Sequence, residues 1–218
     1  MNAAADLTLD EIRALLAPEI AASAAFDGWS NMAVDAAAAM KGIDPAVARL
    51  AFPGGAMDMI AAWIESVDAR MQAQLSRGVL AQMPVRERIR ALLLFRLECI
   101  AGMEESLRRA LAIMAMPQNA ARSLRLGWNT ADAAWRLAGD TATDYNHYTK
   151  RAILAGIYAA TLAVFVDDRS DDKAETRAFL DRRIDGVMRF EKAKAHWLRD
   201  RDRFSVTRFL GRLRYPAR

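Results

Sequence analysis

Apolar residues fall at helical spacing in one segment of the chain after another. With Thr8 or Asp10 as cap, Ile12, Leu15, Leu16 and Ile20 form the stripe of a first helix that runs to about Phe26. Pro18 lies within it and predicts a kink or a split. Gly28 closes the helix, Trp29 packs after it, and Ser30 or Asn31 caps a second short helix over Met32 to Met40. Beyond the tight turn Lys41-Gly42-Ile43-Asp44, Pro45 opens a third helix at the position where a missing N–H costs nothing. Pro53-Gly54-Gly55 stops it. Two short helices joined by a glycine turn, behind a longer packing helix, make a helix-turn-helix-like unit over residues 1–55.

The second unit, residues 56–198, is predicted to be a bundle of longer helices. One runs from Ala56 to about Gln82 with Met57, Ile60, Trp63, Ile64, Val67 and Met71 on one face. Pro84 opens the next, where Ile89, Leu92, Leu93, Leu94, Phe95 and Leu97 make the middle turns apolar nearly all round. Such a segment is deeply buried or lines a cavity. Helices over Glu104 to Met114 and Asn119 to Leu137 follow, and Met103, Met114 and Met116 supply an adaptable lining. The next helix reaches Val166 and stops at the acidic turn from Asp167 to Asp172. A further one carries Phe179, Ile184, Val187, Met188 and Phe190.

After a charged spacer comes a third unit, residues 199–218. With Ser205 as cap, Val206, Phe209, Leu210 and Leu213 share one face while Arg208 and Arg212 project from the other. A short basic amphipathic helix of this kind suits a membrane surface, apolar side in the acyl boundary and arginines on anionic headgroups. The same stripe also suits a terminal helix docked on its own domain or on a partner.

Composition sharpens this to an all-α fold. Hydrophobic residues make up 53% of the 218, yet Gly and Pro number only 11 and 6, as a helical chain requires. No apolar run reaches the roughly 20 residues of a membrane-spanning helix. The acidic first residues lack the pattern of a secretory or transit peptide, so a cytoplasmic location is expected. The single cysteine, Cys99, sits in an apolar run and reads as a small core residue.

Charge is unevenly spread. Residues 1–66 hold three basic groups against nine acidic ones, while residues 182–218 hold twelve basic against four acidic. A DNA-reading helix must meet phosphates with Lys and Arg, and the third helix offers only Arg49 in an acidic setting. Nucleic-acid binding is therefore not expected.

Catalytic chemistry is hard to assemble. The chain has two histidines, His147 and His196, and neither sits in a Glu-x-x-His pair, a zinc cluster or any nucleotide-binding fingerprint. Gly54-Gly55 follows a helix rather than a strand and reads as a cap. The pairs Glu104-Glu105 and Asp167-Asp168 look like solvated surface. A binding protein, with no metal or cofactor, is the expectation.

The least generic stretch is Trp135 to Tyr158. Its Trp135-x-Leu137-Ala138-Gly139-Asp140, Thr143-Asp144, Asn146, Tyr148-Thr149 and Arg151-Ala152-x-Leu154-Ala155-Gly156-Ile157-Tyr158 resemble the hallmark region of the lipid-binding accessory proteins of coenzyme Q biosynthesis, the ninth member of the COQ series. Phe52-Pro53-Gly54-Gly55 and the helix after it fit the same pattern, so the resemblance covers roughly Leu7 to Lys194. It implies a TetR-like helical bundle with a vestigial helix-turn-helix, usually a homodimer. It also implies a non-catalytic protein that binds an isoprenoid quinone intermediate or phospholipid between helices. Such a protein touches the inner face of the membrane through its carboxy-terminal helix and serves the di-iron demethoxyubiquinone hydroxylase.

By this resemblance Arg151 stands near a lipid head, with Lys150, Leu94, Leu97, Trp135, Leu154 and Tyr158 as the accompanying lipid site. A guanidinium pairs bidentately with phosphate; Arg151 could equally pair with Asp140 or Asp144. Asp144, His147 and Tyr148 match the partner-contacting surface, and His147 stands where human-type members carry Trp.

Overall fold

The computed structural model describes residues 7–141, 143 and 145–187. Among them every long regular element is an α-helix. In chain order these are α1 (Leu9–Asp27), α2 (Asn31–Lys41), α3 (Pro45–Leu50), α4 (Ala56–Gln74), α5 (Arg77–Ala81), α6 (Val85–Ile100), α7 (Glu104–Met114), α8 (Ala120–Leu137) and α9 (Tyr145–Phe165). A tenth, α10, occupies residues 174–187.

Local chemistry sets most boundaries. Thr8 and Glu11 form a reciprocal capping box at the start of α1, with Thr8 N donating to Glu11 Oε2 at 2.8 Å. Ser30 accepts from Met32 N ahead of α2, and Asp44 accepts from Ala46 N ahead of α3. Gly42 ends α2 with φ of 67°, a left-handed value that L side chains resist. Pro18 neither splits nor ends α1, which stays one helix across it. Leu16, Ala17, Ile20 and Ala21 are all buried around that point, so tertiary packing holds the helix through the missing hydrogen bond.

The helix expected from Ala56 to about Gln82 is instead two. Leu75 leaves the helical region (φ −102°, ψ 79°), Ser76 is extended, and α5 restarts at Arg77. The break lets α5 turn in and bury Leu80. Before α4, Gly54 N donates to Asp58 Oδ2 at 2.5 Å, and a Cβ on Gly54 would stand 2.7 Å from both Asp58 carboxylate oxygens. Asp58 also pairs with Arg122 of α8. The Pro-Gly-Gly turn is thus shaped by the approach of a carboxylate that ties α4 to α8.

The amino-terminal helices share a core with the rest. α1 packs on α2, α4 and α7. Trp29 Nε1 donates to Ser106 O at 3.1 Å, its ring lies 5.4 Å from that of Trp63, and Ser106 Oγ donates to Ala21 O at 2.6 Å. α8 packs along α9, with α4 and α6 against both or one of them. Arg90 and Arg86 of α6 reach Asp181 and Asp185 of α10, the first at 2.6 Å.

The acidic turn after α9 departs from the surface expectation. Asp167 is exposed, but Asp168 is buried and accepts hydrogen bonds from Ser170 N and Thr176 N, both at 2.8 Å, and from the Ser170 and Thr176 hydroxyls. Burial pushes its carboxyl up, but those four donors outweigh burial and hold it well below the usual carboxylate range. Cys99 is buried, as expected of a core thiol.

Candidate functional site

Between α4, α6, α7, α8 and α9 lies a cavity of about 540 Å³, within the size range of small-molecule sites. Its walls are almost wholly apolar. α4 contributes Ile60, Trp63 and Val67, α7 contributes Leu107 and Leu111, and α8 contributes Leu126 and Trp128. On α9 the lining combines Tyr158 and Leu162 with Ala152, Ala155, Gly156 and Ala159, four residues too short to fill the space. A Cβ built on Gly156 or on Gly127 would meet nothing within 4 Å. Helical spacing at 152, 155, 156 and 159 puts these small residues on one face, so α9 forms a shallow wall where a larger side chain would close the space.

One end of this cavity is polar. Arg96 lines it and is 2% exposed; its Nη1 pairs with Asp68 of α4, which is itself outside the lining. Thr130 Oγ1 reaches Asp68 Oδ2 at 3.4 Å, and the Tyr158 ring centroid is 5.0 Å from the Arg96 guanidinium. Burial pushes the Asp68 carboxyl above its ordinary value, and Arg96 and Thr130 pull it part of the way back. Burial likewise raises the Tyr158 phenol, against the pull of Arg96, which keeps it a neutral hydrogen-bonding group at pH 7.

The stretch that opens α9 is built around Asp140. α8 ends in a Schellman turn, with Gly139 N donating to Arg136 O and Asp140 N to Trp135 O, and Gly139 at φ 88°. Arg88 of α6 clamps that turn by donating to Ala138 O at 2.7 Å. Asp140 is thereby set beneath α9, where it accepts from Lys150 Nζ at 2.7 Å and Arg151 Nη1 at 3.0 Å. Arg151 Nε donates to Asp132 Oδ1 at 2.6 Å, and its Nη1 also reaches His147 O. Trp135 Nε1 donates to Lys150 O, and the Lys150 ammonium lies 5.3 Å from the Trp135 ring centroid.

The structure disperses the sequence-derived lipid residues. Tyr158 lines the large cavity. Lys150, Trp135 and Leu154 line a second cavity of about 300 Å³, with Val85 and Ile89 of α6 and Ile184 and Val187 of α10. Leu94 and Leu97 are buried core residues outside both linings. Arg151 is also outside both; of the two roles open to it, the ion pair with Asp140 is present, and Asp132 is a second partner.

His147 and Tyr148 share a surface with Trp128: ring centroids are 6.3 Å apart for Trp128 and His147, 6.0 Å for Trp128 and Tyr148, and 5.1 Å for His147 and Tyr148. Tyr148 is 61% exposed. Trp128 therefore belongs both to this aromatic surface and to the cavity wall. Asp144 lies outside the described residues, as do Val206, Arg208, Phe209, Leu210, Arg212 and Leu213 of the amphipathic segment.

Sequence reasoning did not single out Arg96, Asp68 or Thr130. The available signal was a lone arginine inside the leucine run Leu92 to Leu97, since a charge there must be paired. In the helix-turn-helix unit, Arg49 is engaged by Asp35, with Nε donating to Oδ1 at 2.8 Å. That leaves α3 without an uncommitted cation, since Arg49 is the only basic residue in it.

Comparison with known proteins agrees with this architecture. Residues 120–191 match the COQ9 family model. The chain is 33% identical over 168 residues to the mitochondrial ubiquinone biosynthesis protein COQ9 of Rattus norvegicus, and 30% identical to that of Homo sapiens. These matches cover 74% of this chain and 54% and 52% of the relatives, so the chain spans about half the length of the curated relatives it matches. Among solved structures, a TetR transcriptional regulator from Nitrosomonas europaea superposes with a TM-score of 0.63 at 20% identity, covering 79% of this chain and 95% of that one. That likeness establishes the TetR-like fold, as the resemblance implied. Residues 120–191 thus carry a COQ9 domain, and the similarity to COQ9 proteins runs along 74% of the chain.

Proposed function

We propose that this chain is a non-catalytic lipid-binding accessory protein of ubiquinone biosynthesis. It binds an isoprenoid quinone intermediate or a phospholipid and presents it to a demethoxyubiquinone hydroxylase of the di-iron class. The observation that carries the reading is the apolar cavity of about 540 Å³ beside α9. Burial of an isoprenoid chain there is favourable by roughly 25 cal/mol per Å² of apolar surface. The names of the COQ9 relatives supply the pathway.

Lys150, Trp135 and Leu154 would form an accessory site for the lipid around the second cavity. Arg151 contributes by holding that wall in place. Asp144, His147 and Tyr148 would face the hydroxylase. The basic amphipathic segment carrying Val206, Arg208, Phe209, Leu210, Arg212 and Leu213 would hold a homodimer to anionic lipid on the inner face of the membrane. Among the described residues no helix is long and apolar enough to cross a membrane.

Native mass spectrometry of the purified chain tests the central claim and the oligomeric state together. Co-purified lipid, or uptake of a prenylated quinone by delipidated protein, is expected; a chain that takes up neither quinone nor phospholipid overturns the reading. A TetR-type ligand-sensing regulator is the rival drawn from the fold. It predicts a gel shift with DNA at low salt, which the Arg49–Asp35 pair and the acidic amino-terminal third argue against. Truncation after Asp202 is expected to weaken sedimentation with anionic liposomes and leave the thermal transition in place.

A further inference from the structure

Arg96 Nε is the one buried side-chain nitrogen or oxygen without a hydrogen-bond partner among the described residues. Native proteins satisfy the great majority of such groups, and an exception on the wall of a cavity needs a physical account. Arg96 is 2% exposed, so bulk water does not meet the need. It is also the only charged residue among those described as lining the cavity.

From this geometry we infer that the cavity has a head-group subsite at Arg96, flanked by Thr130 and Tyr158, which takes a neutral oxygen acceptor such as a quinone or ester carbonyl. The inference rests on reading the cavity as a ligand site, and it adds which end of the ligand goes inside and of what charge. An apolar chain then occupies the region bounded by Trp63, Leu107 and Gly156, while the polar head meets the guanidinium.

The preference for a neutral head follows from the charge count. Arg96 and Asp68 already form a pair, and no second cation lines the cavity among the described residues. A carboxylate or phosphate placed there would be a buried charge without its own counter-ion, which is strongly unfavourable. A carbonyl oxygen satisfies Arg96 without adding charge, and hydrogen bonds from a charged donor are the stronger kind. Thr130 Oγ1 is committed only weakly, at 3.4 Å from Asp68, and its hydroxyl can take part as donor or acceptor.

The test is a matched series of ligands on the delipidated full chain, each displacing a neutral solvatochromic dye: decylbenzoquinone, decylbenzene and 4-decylbenzoate. Decylbenzoquinone is expected to bind about tenfold or more tighter than decylbenzene, from one hydrogen bond to a charged donor, and decylbenzoate no tighter than decylbenzene. Equal affinity for decylbenzoquinone and decylbenzene overturns the subsite and leaves the apolar cavity standing. Tightest binding by decylbenzoate overturns the neutral preference. Displacement by none of the three overturns the cavity reading and this inference with it.

The variant Arg96→Met combined with Asp68→Leu removes both partners and so avoids an orphaned charge. It is expected to keep decylbenzene binding and to lose the quinone advantage. Retention of that advantage by the folded double variant counts against the subsite. If the double variant does not fold, the ligand series on the unaltered chain decides alone.

Discussion

Arg151 Nε meets Asp132 Oδ1 at 2.6 Å, and this contact joins α9 to α8 at the point where the family pattern is densest. With Asp140 as second partner the guanidinium is 2% exposed, and the Asp140 side chain is 6% exposed. The pattern Gly139-Asp140 followed by Arg151 thus has a structural cause. Gly139 supplies the left-handed turn, the turn places Asp140, and Asp140 neutralises the arginine that α9 brings inward.

Removing Arg151 therefore acts on stability first. Arg151→Met removes the guanidinium that bridges Asp140 and the partly buried Asp132, which keep their pairs with Lys150 and Arg136, and loss of one member of a buried pair costs about 3 kcal/mol or more. Urea unfolding of the variant is expected to show a midpoint lowered accordingly. An unchanged midpoint together with lost phospholipid binding would instead assign the guanidinium to a lipid head.

The small-residue wall of α9 gives a direct handle on occupancy. Gly156→Leu places a side chain into space where its Cβ meets nothing within 4 Å, and replacing a helix-interior glycine favours the helix by roughly 0.5–1 kcal/mol. Unfolding measurements are expected to show stability equal to or above that of the unaltered chain, while uptake of prenylated quinone falls at least severalfold. Full uptake by a well-folded variant would place the ligand away from α9.

Tyr148 is exposed beside Trp128 and His147, so its truncation removes surface rather than core. Tyr148→Ala is expected to change folding stability by no more than about 0.5 kcal/mol. Capture of a partner hydroxylase on immobilised chain is expected to weaken by roughly 2 kcal/mol, the size of an aromatic anchor. Undiminished capture would move the contact elsewhere. Trp128→Phe keeps the cavity wall aromatic and separates the surface effect from the pocket.

Most helices were legible because their ends carry local chemistry. Thr8, Ser30 and Asp44 each accept from a backbone N–H of the first turn, and Gly42 takes a left-handed conformation. The break after Gln74 was not legible, since Leu75-Ser76 carries neither glycine nor proline and the reason for it, burial of Leu80, is tertiary. The continuity of α1 across Pro18 is tertiary in the same way.

The site was legible only in part. Ile60, Trp63 and Val67 read correctly as one inward face, but a space between helices depends on which small residues meet across them, and no periodicity reports that. Arg96 was hidden by its own helix, whose apolar turns predict core on every side. Its partner Asp68 lies 28 residues away in sequence. Asp168 was hidden by its acidic neighbours, since sequence does not say which member of Asp167-Asp168 turns inward.

Asp168 in turn makes a prediction about acid stability. Its folded-state carboxyl is held below the ordinary range because donors from Ser170 and Thr176 outweigh burial. A depressed folded-state value means that the group stabilises the fold above the unfolded-chain pKa, about 4, and that this contribution is lost as pH falls from there toward the folded value. Asp168→Asn puts an amide NH2 against donors that need an acceptor, at a cost of about 1–3 kcal/mol. Urea unfolding at pH 7 is expected to show that difference in full, and at pH 3 the gap between variant and unaltered chain should narrow. A gap that is the same at both pH values would mean that the hydrogen-bond geometry, and not the charge, is what Asp168 contributes at the start of α10.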